Sequence, residues 1–366
     1  MRAVTLGLRC NFQLDGLIVV GRSEELRLLR ERWRAPGLQA AVARAQQALL
    51  RGGRVVSPFA DVAGRVDVRG LPVSGAVADW RERAPRLSAG SDPSRGPSAA
   101  RRAVWEGLDL TGAELWEMNW AELAVRDCAL DDADLTGLRC WGVEVAGCSM
   151  RRARLFHGQL GAPAQYWPRR SQWRDVDLRQ ADLRGATASV LFQDADFRNA
   201  KFQRTDFGWS DLVNCRLAGV VLGLKIGHRP IPEQPPRWLL SGVDFTAATP
   251  RRLKLIGVNL DVAGIQLPSD ADHWLVPDWP DYLQRLAAAV AVLPEGTLKL
   301  TASIWLDYAI RDQGPGQTTG FIAAWDLTQL GGTELRDLLD HVRQGAPGRA
   351  SRPAHSCANS GLTSTP

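Results

Sequence analysis

The chain has 366 residues, 45% of them hydrophobic and 23% charged, with a formal net charge of +5. This is ordinary globular usage, which excludes a disordered, collagenous or coiled-coil chain; at about 150 residues per domain it predicts two or three domains. Six cysteines with no CxxC spacing and no histidine pair at ligand spacing exclude a zinc ribbon and a dense disulfide scaffold.

No run approaches the ~18 uninterrupted apolar residues of a membrane span. Arg2, Arg9 and Asp15 interrupt any apolar leader core. The expectation is a cytoplasmic protein with reduced thiols and no membrane partner. Residues 22–51 read as two short helices. Ser23 is placed to cap the first, Glu24 and Glu25 suit its first turn, and Leu26, Leu29 and Trp33 line one face. After Pro36-Gly37 a second stripe runs Leu38, Ala41, Val42, Ala45, Leu49. Residues 65–79 read as a degenerate start (Val68, Val73, Ala78) of the pattern that follows, and 85–98 as a linker. Residues 1–102 are thus expected to form an N-terminal helical and linker region.

From Trp105 to Leu160 every fifth residue is apolar, and so is the residue two before each, from Ala103 to Gly158. The position between them is often polar, as at Asp109, Glu114, Asn119 and Asp134. A period of five fits neither the 3.6 of a helix nor the 2.0 of a flat strand. It fits a chain that takes two inward steps and then turns a corner. After an interruption at 161–170 the register resumes at Trp173, Leu178, Leu183 and Ala188. With one residue dropped it continues from Phe192 to Leu222, breaks again at 223–237, and returns as Leu240, Phe245, Pro250, Leu255, Leu260, Ile265, with Pro250 its flaw.

The units Ala113-Glu114-Leu115, Ala133-Asp134-Leu135, Ala181-Asp182-Leu183, Ala195-Asp196-Phe197 and Ala200-Lys201-Phe202 resemble those of the pentapeptide-repeat family. The resemblance covers about 103–267. It implies a mainly β fold, a right-handed quadrilateral β-helix in which four pentapeptides make one square coil. Residues 20 apart then stack: Leu110, Leu130 and Met150 share a column, and Trp120 lies beneath Cys140. About seven coils at ~4.8 Å give a rod of roughly 34 Å. Each coil meets only its neighbours, so stability is nearly a sum of local stacking terms.

Beyond Ile265 the pattern stops, and 268–343 is expected to be a small α/β domain. Tyr282–Leu293 reads as a helix with Pro280 near its start. Leu298, Leu300 and Ile304 read as a strand, Phe321–Leu327 as a second, and Thr333–Val342 as a helix capped by Thr333. Leu283, Leu286 and Val290 are placed to line a homodimer contact. Residues 344–366 read as a disordered tail.

Chemistry-bearing constellations are scarce. Cys128, Cys140, Cys148 and Cys215 fall on inward positions, where structural thiols are expected. His157, His228, His273, His341 and His355 are scattered and read as surface residues. The loop Gly314–Gly320 lacks the lysine of a phosphate-binding loop and reads as a turn between two strands. No catalytic residue, cofactor or metal is therefore assigned. The charge layout says more. Between 103 and 150 ten acids face two bases; between 151 and 267 eighteen bases face ten acids. The rod is expected to be acidic early and basic late, with Glu114, Asp131, Asp132, Asp134 and Glu144 as the candidate interaction surface. The expected function is a non-catalytic scaffold with a charge-polarised surface for a protein partner. The family resemblance implies an alternative, a DNA mimic that binds DNA gyrase and protects it from antibiotics. An enzyme built on the C-terminal domain is a second alternative, and nucleic-acid binding by the basic half a third.

Overall fold

The computed structural model describes residues 13–14, 17–18, 21–51, 53–73, 99–101, 103–163, 167–228 and 239–345. The expected linker at 85–98, the tail beyond 345, Ala78, Cys10 and Cys357 lie outside them. From Val66 onward the chain takes a short extended step every five residues and then turns. Successive coils pair as parallel strands, and two of the four walls are continuous sheets of seven and eight strands. Face A stacks Trp105, Val125, Val145, Trp173, Phe192, Leu212 and Leu240. Face D includes Trp120 directly against Cys140, as the spacing predicts. On face B the rungs are Asp109, Ala129, Ser149, Asp177, Asp196 and Arg216; on face C they are Pro72, Glu114, Asp134, Arg154, Asp182 and Lys201.

The inward residues fill the tube. Phe192, Phe197, Phe202 and Phe207, one from each wall of a single coil, meet with ring centroids 5.2–6.2 Å apart. Trp105 and Trp120 meet edge to face at 5.1 Å. All are buried, at the density of an organic crystal.

The rod is longer than its clearest motifs. Val68, Leu71 and Val73 are buried in the same core, and Val66-Asp67 pairs with Leu108-Asp109. The described steps at 66–73 thus stack on the coil at 108–114, ahead of the boundary expected at 103. At the first interruption Val145 pairs with Trp173 instead of a residue twenty on. Arg170 pins this insertion to the coil above, bonding the Asp211 carboxylate and, at 2.9 Å, the Trp209 carbonyl. The second break starts later than 223, because Leu224 and Ile226 still point inward and pair with Phe202's coil through Thr205–Phe207. In that stretch the buried residue is Val221, while Val220 is half exposed, a one-residue shift from the expected register. Pro250 is no flaw: it pairs with Val221 and is buried.

Helices α1 (Arg22–Glu31) and α2 (Gln39–Arg51) pack on the first coils. Gly21, not Ser23, occupies the N-cap of α1. Leu49 and Ala45 of α2 join the tube core, and the Trp105 indole N–H donates to the Leu49 carbonyl at 2.9 Å. The open end of the tube is thereby plugged.

The C-terminal layer is more helical than expected. Helices α3 (Trp279–Ala291), α4 (Thr297–Asp312) and α5 (Ala324–Gln344) pack with an antiparallel strand pair, His273–Val276 with Gly320–Ala323. The expected strand at 298–304 is helix α4. The strand expected over 321–327 ends at Ala323, where α5 begins; Gly331-Gly332 breaks α5 just before Thr333. Gly314–Gly320 joins a helix to a strand. Leu283, Leu286 and Val290 are buried within this layer's own core, so they line no dimer face. His273 is buried too, with Nδ1 2.9 Å from the Asp270 carboxylate, which pins the turn that opens the layer.

Candidate interaction surface

In each extended step the residues before and after the inward centre both point outward, side by side. Where they are Asp and Arg they close on each other. Asp67, Asp177, Asp182 and Asp196 each accept the backbone N–H two residues on, at 3.1–3.3 Å. Each also takes the guanidinium of that same residue: Arg69, Arg179, Arg184 and Arg198. Burial alone raises a carboxyl's pKa. At Asp177 the hydrogen bonds from Arg179 and Arg151 outweigh it and hold the carboxyl at about 2. Asp182 and Asp196 are lowered by the same contest, won by Arg184 and Arg198. Single residues do not announce these forks; the recurrence of Asp-x-Arg around an inward Leu, Phe or Val does.

The five predicted residues do not form one open surface. Asp132 is a corner residue at φ 56°, bonded to Arg22 of α1 and at 2.9 Å to Arg152. Burial works to raise its pKa, but these two guanidiniums lower it. Asp131 accepts the Arg151 N–H at 2.9 Å and the Ser149 hydroxyl. Glu114 lies 3.7 Å from Arg30, also of α1, and Asp134 lies 3.7 Å from Arg154. Glu144 sits on face A, away from the rest, 3.2 Å from Arg126. Helix α1 thus lies along the acidic corner with its arginines on the carboxylates. Arginines from α1 and from later coils thus meet Asp132, Glu114 and Asp134.

The carboxylates sequence reasoning missed lie in the half read as basic. A groove follows the corner between faces A and B, lined by Asp175, Asp194 and Asn214 on one side and by Asp177, Asp196, Asp244 and the one cation Arg216 on the other. Asp175 and Asp194 are exposed and left-handed, at φ 50° and 54°. Such corners favour Gly, Asn and Asp, and stacking brings the Asp residues of successive coils together. The Asn214 amide donates to Asp194 at 3.1 Å. Among the described residues no cation stands within 4.0 Å of the carboxylates of Asp175 or Asp194. A column of corner positions, read coil over coil, is the signal that marks them.

The four thiols among the described residues are interior. Burial pushes Cys215 up to about 12 and raises Cys140 as well, which keeps both as inert thiols. The described residues hold no group of three or more metal-ligating side chains, and no helix among them is long and apolar enough to cross a membrane.

The family described as Pentapeptide repeats (8 copies) matches residues 190–222, which include the four-phenylalanine coil. Among solved structures the chain is similar to HetL, a pentapeptide repeat protein involved in heterocyst differentiation regulation from the cyanobacterium Nostoc sp. strain PCC 7120. Identity is 22%, over 48% of this chain and 78% of that one, with a TM-score of 0.22. It is also similar to full-length QnrB1, a plasmid-mediated fluoroquinolone resistance protein, at 19% identity over 45% of this chain and 92% of that one, TM-score 0.23. A pentapeptide repeat protein from the Arabidopsis thaliana thylakoid lumen matches at 15% identity over 57% and 85%, TM-score 0.10. No curated protein matches the chain in sequence. By the family match residues 190–222 are pentapeptide repeats, and the same five-residue register runs through the neighbouring coils.

Proposed function

We propose that this protein is a non-catalytic docking scaffold whose corner groove receives a basic segment of a protein partner. The supporting observation is the contrast between two kinds of carboxylate on one rigid surface. Those of the Asp-x-Arg forks are satisfied within the chain, whereas Asp175 and Asp194 stand exposed one coil apart. Like charges about 5 Å apart repel, and a cation laid between them is favoured. Because the tube below is solid, the groove keeps its shape, and a partner bears little of the cost of ordering it.

The gyrase alternative asks for a run of free carboxylates in the manner of DNA phosphates. Here Asp67, Asp177, Asp182 and Asp196 are paired by arginines of their own steps, and Asp132 and Glu114 by arginines of α1. That pairing favours protein docking over duplex mimicry. The test is a charge reversal, Asp175→Lys/Asp194→Lys. It is expected to keep the thermal midpoint of the parent and to lose the proteins crosslinked to the parent in native extract, with the parent's captures weakening as salt rises. Equal capture by both forms rejects the groove, and the absence of any saturable capture rejects the scaffold. Relief of quinolone inhibition of purified gyrase by micromolar protein would favour the alternative instead.

A further inference from the structure

The two ends of the tube are finished differently. At the first coil Ala45 and Leu49 plug the core. At the last, the inward leucines Leu253, Leu255 and Leu260 are only partly buried. The C-terminal layer stands over them, joined at its edge where Gly257 N–H donates to the Asp312 carbonyl at 2.7 Å and Arg252 N–H to the Asp326 carboxylate at 2.7 Å. Between the leucines and this layer lies a cavity of about 540 Å³.

Its far wall is aromatic, with Trp279, Trp305, Tyr308 and Phe321. Trp279 is held firmly. It stacks on Tyr282 at 5.3 Å, and a Cβ on Gly320 would lie 1.9 Å from its ring. Trp279 is 4% exposed, and its indole N–H is buried without a hydrogen-bond partner. The mouth is cationic, since Arg252 and Lys254 line it and are exposed. The two acids in the lining are already engaged: Asp326 accepts the Arg252 N–H, and Asp312 has its own interactions.

We propose that this cavity binds a small amphipathic carboxylate, its apolar body between the leucine tube end and the aromatic wall and its anionic group answering Arg252 and Lys254. The volume is that of an ordinary small-molecule site, and so is the mix of a mainly apolar lining with few polar groups. The site is separate from the corner groove, and either stands without the other.

The test is calorimetric titration of the full chain with 2-naphthoate, with decanoate and with neutral 2-naphthol. The proposal expects saturable binding of one carboxylate per chain, and 2-naphthol weaker by about tenfold, the effect of ~1.4 kcal/mol. Decanoate binding as well as 2-naphthoate assigns the site to flexible chains too; 2-naphthoate alone assigns it to flat bodies. Arg252→Gln/Lys254→Gln is expected to erase the preference of naphthoate over naphthol. Leu255→Trp is expected to abolish binding by filling the floor, and Ala309→Trp fills the opposite wall should the first variant fail to fold. Unsaturable binding, or full binding in a folded cavity-filling variant, overturns the site. Equal affinity for 2-naphthoate and 2-naphthol overturns its anionic character.

Discussion

Two residues past nearly every inward centre the backbone turns left-handed, and the side chain found there decides what the turn costs. Gly107 (φ 61°) sits in such a corner with nothing within 4 Å of an added Cβ. Gln180 occupies an equivalent corner at φ 61°. A non-glycine residue in this region carries roughly 1–2 kcal/mol of strain, offset in part because glycine is freer when unfolded. Gln180→Gly is therefore expected to stabilise the protein by up to about 1 kcal/mol, and Gly107→Ala to destabilise it by about 1 kcal/mol. Urea unfolding midpoints measure both. A loss of stability in Gln180→Gly, as for glycine in mid-strand, would remove the corner argument. The same conformational demand explains why Asp and Asn recur at corners, and hence why Asp175 and Asp194 stack into a groove.

The repeating element, one step and one corner, carries its own acid sensitivity. Asp67, Asp177, Asp182 and Asp196 have folded pKa values below their unfolded ones, because fork hydrogen bonds overcome burial. Groups depressed on folding contribute stability in full above about pH 4, where unfolded aspartates are ionised. That contribution is lost as the pH falls through the folded value, about 2 at Asp177. The thermal midpoint is expected to fall between pH 4 and 2, and less steeply in Asp177→Asn/Asp196→Asn. Parallel pH curves for parent and variant would rule the forks out as the cause. The inward positions of the rod were legible in sequence because a tube this narrow admits mainly apolar residues at a fixed interval, with Thr205 and Ser210 as small polar exceptions. The forks and the groove were not, because they depend on which outward residues share a step or a corner column. Helix α4 was misread for a related reason. Its Leu300, Ile304 and Tyr308 form a helical stripe, but the stripe faces solvent, and only Ala302 is fully buried. Without a buried face, the alternation of Leu298 and Leu300 with polar residues looked like a strand. Pro250 and Val221 escaped because a dropped residue shifts the register by one, which period counting absorbs as a flaw.

At the scale of the whole molecule, a stack in which each coil packs mainly on its neighbours has its weak points at its ends. Each coil is braced above and below except the first and last, and an unpaired parallel edge invites association. Helix α2 answers this at the first coil through Ala45, Leu49 and the bond from Trp105 to the Leu49 carbonyl. Leu49→Ala leaves that carbonyl in place and removes only the plug, at a cost of roughly 2–5 kcal/mol for a buried leucine. In a globular core such a loss lowers protection everywhere. In a nearest-neighbour stack it stays local. Hydrogen exchange in Leu49→Ala is therefore expected to quicken strongly in the coils of Val68 and Trp105, less in that of Val125, and not at all in the coil of Phe192, Phe197, Phe202 and Phe207. Native molecular mass by light scattering is expected to show self-association as the first edge frays. Uniform loss of protection along the rod would show that the coils unfold as one unit, and the additive account of its stability would then fail. Loss confined to α2 would show that the first coil closes without its plug, and the contrast drawn between the sealed end and the open, ligand-sized end would lose its physical basis.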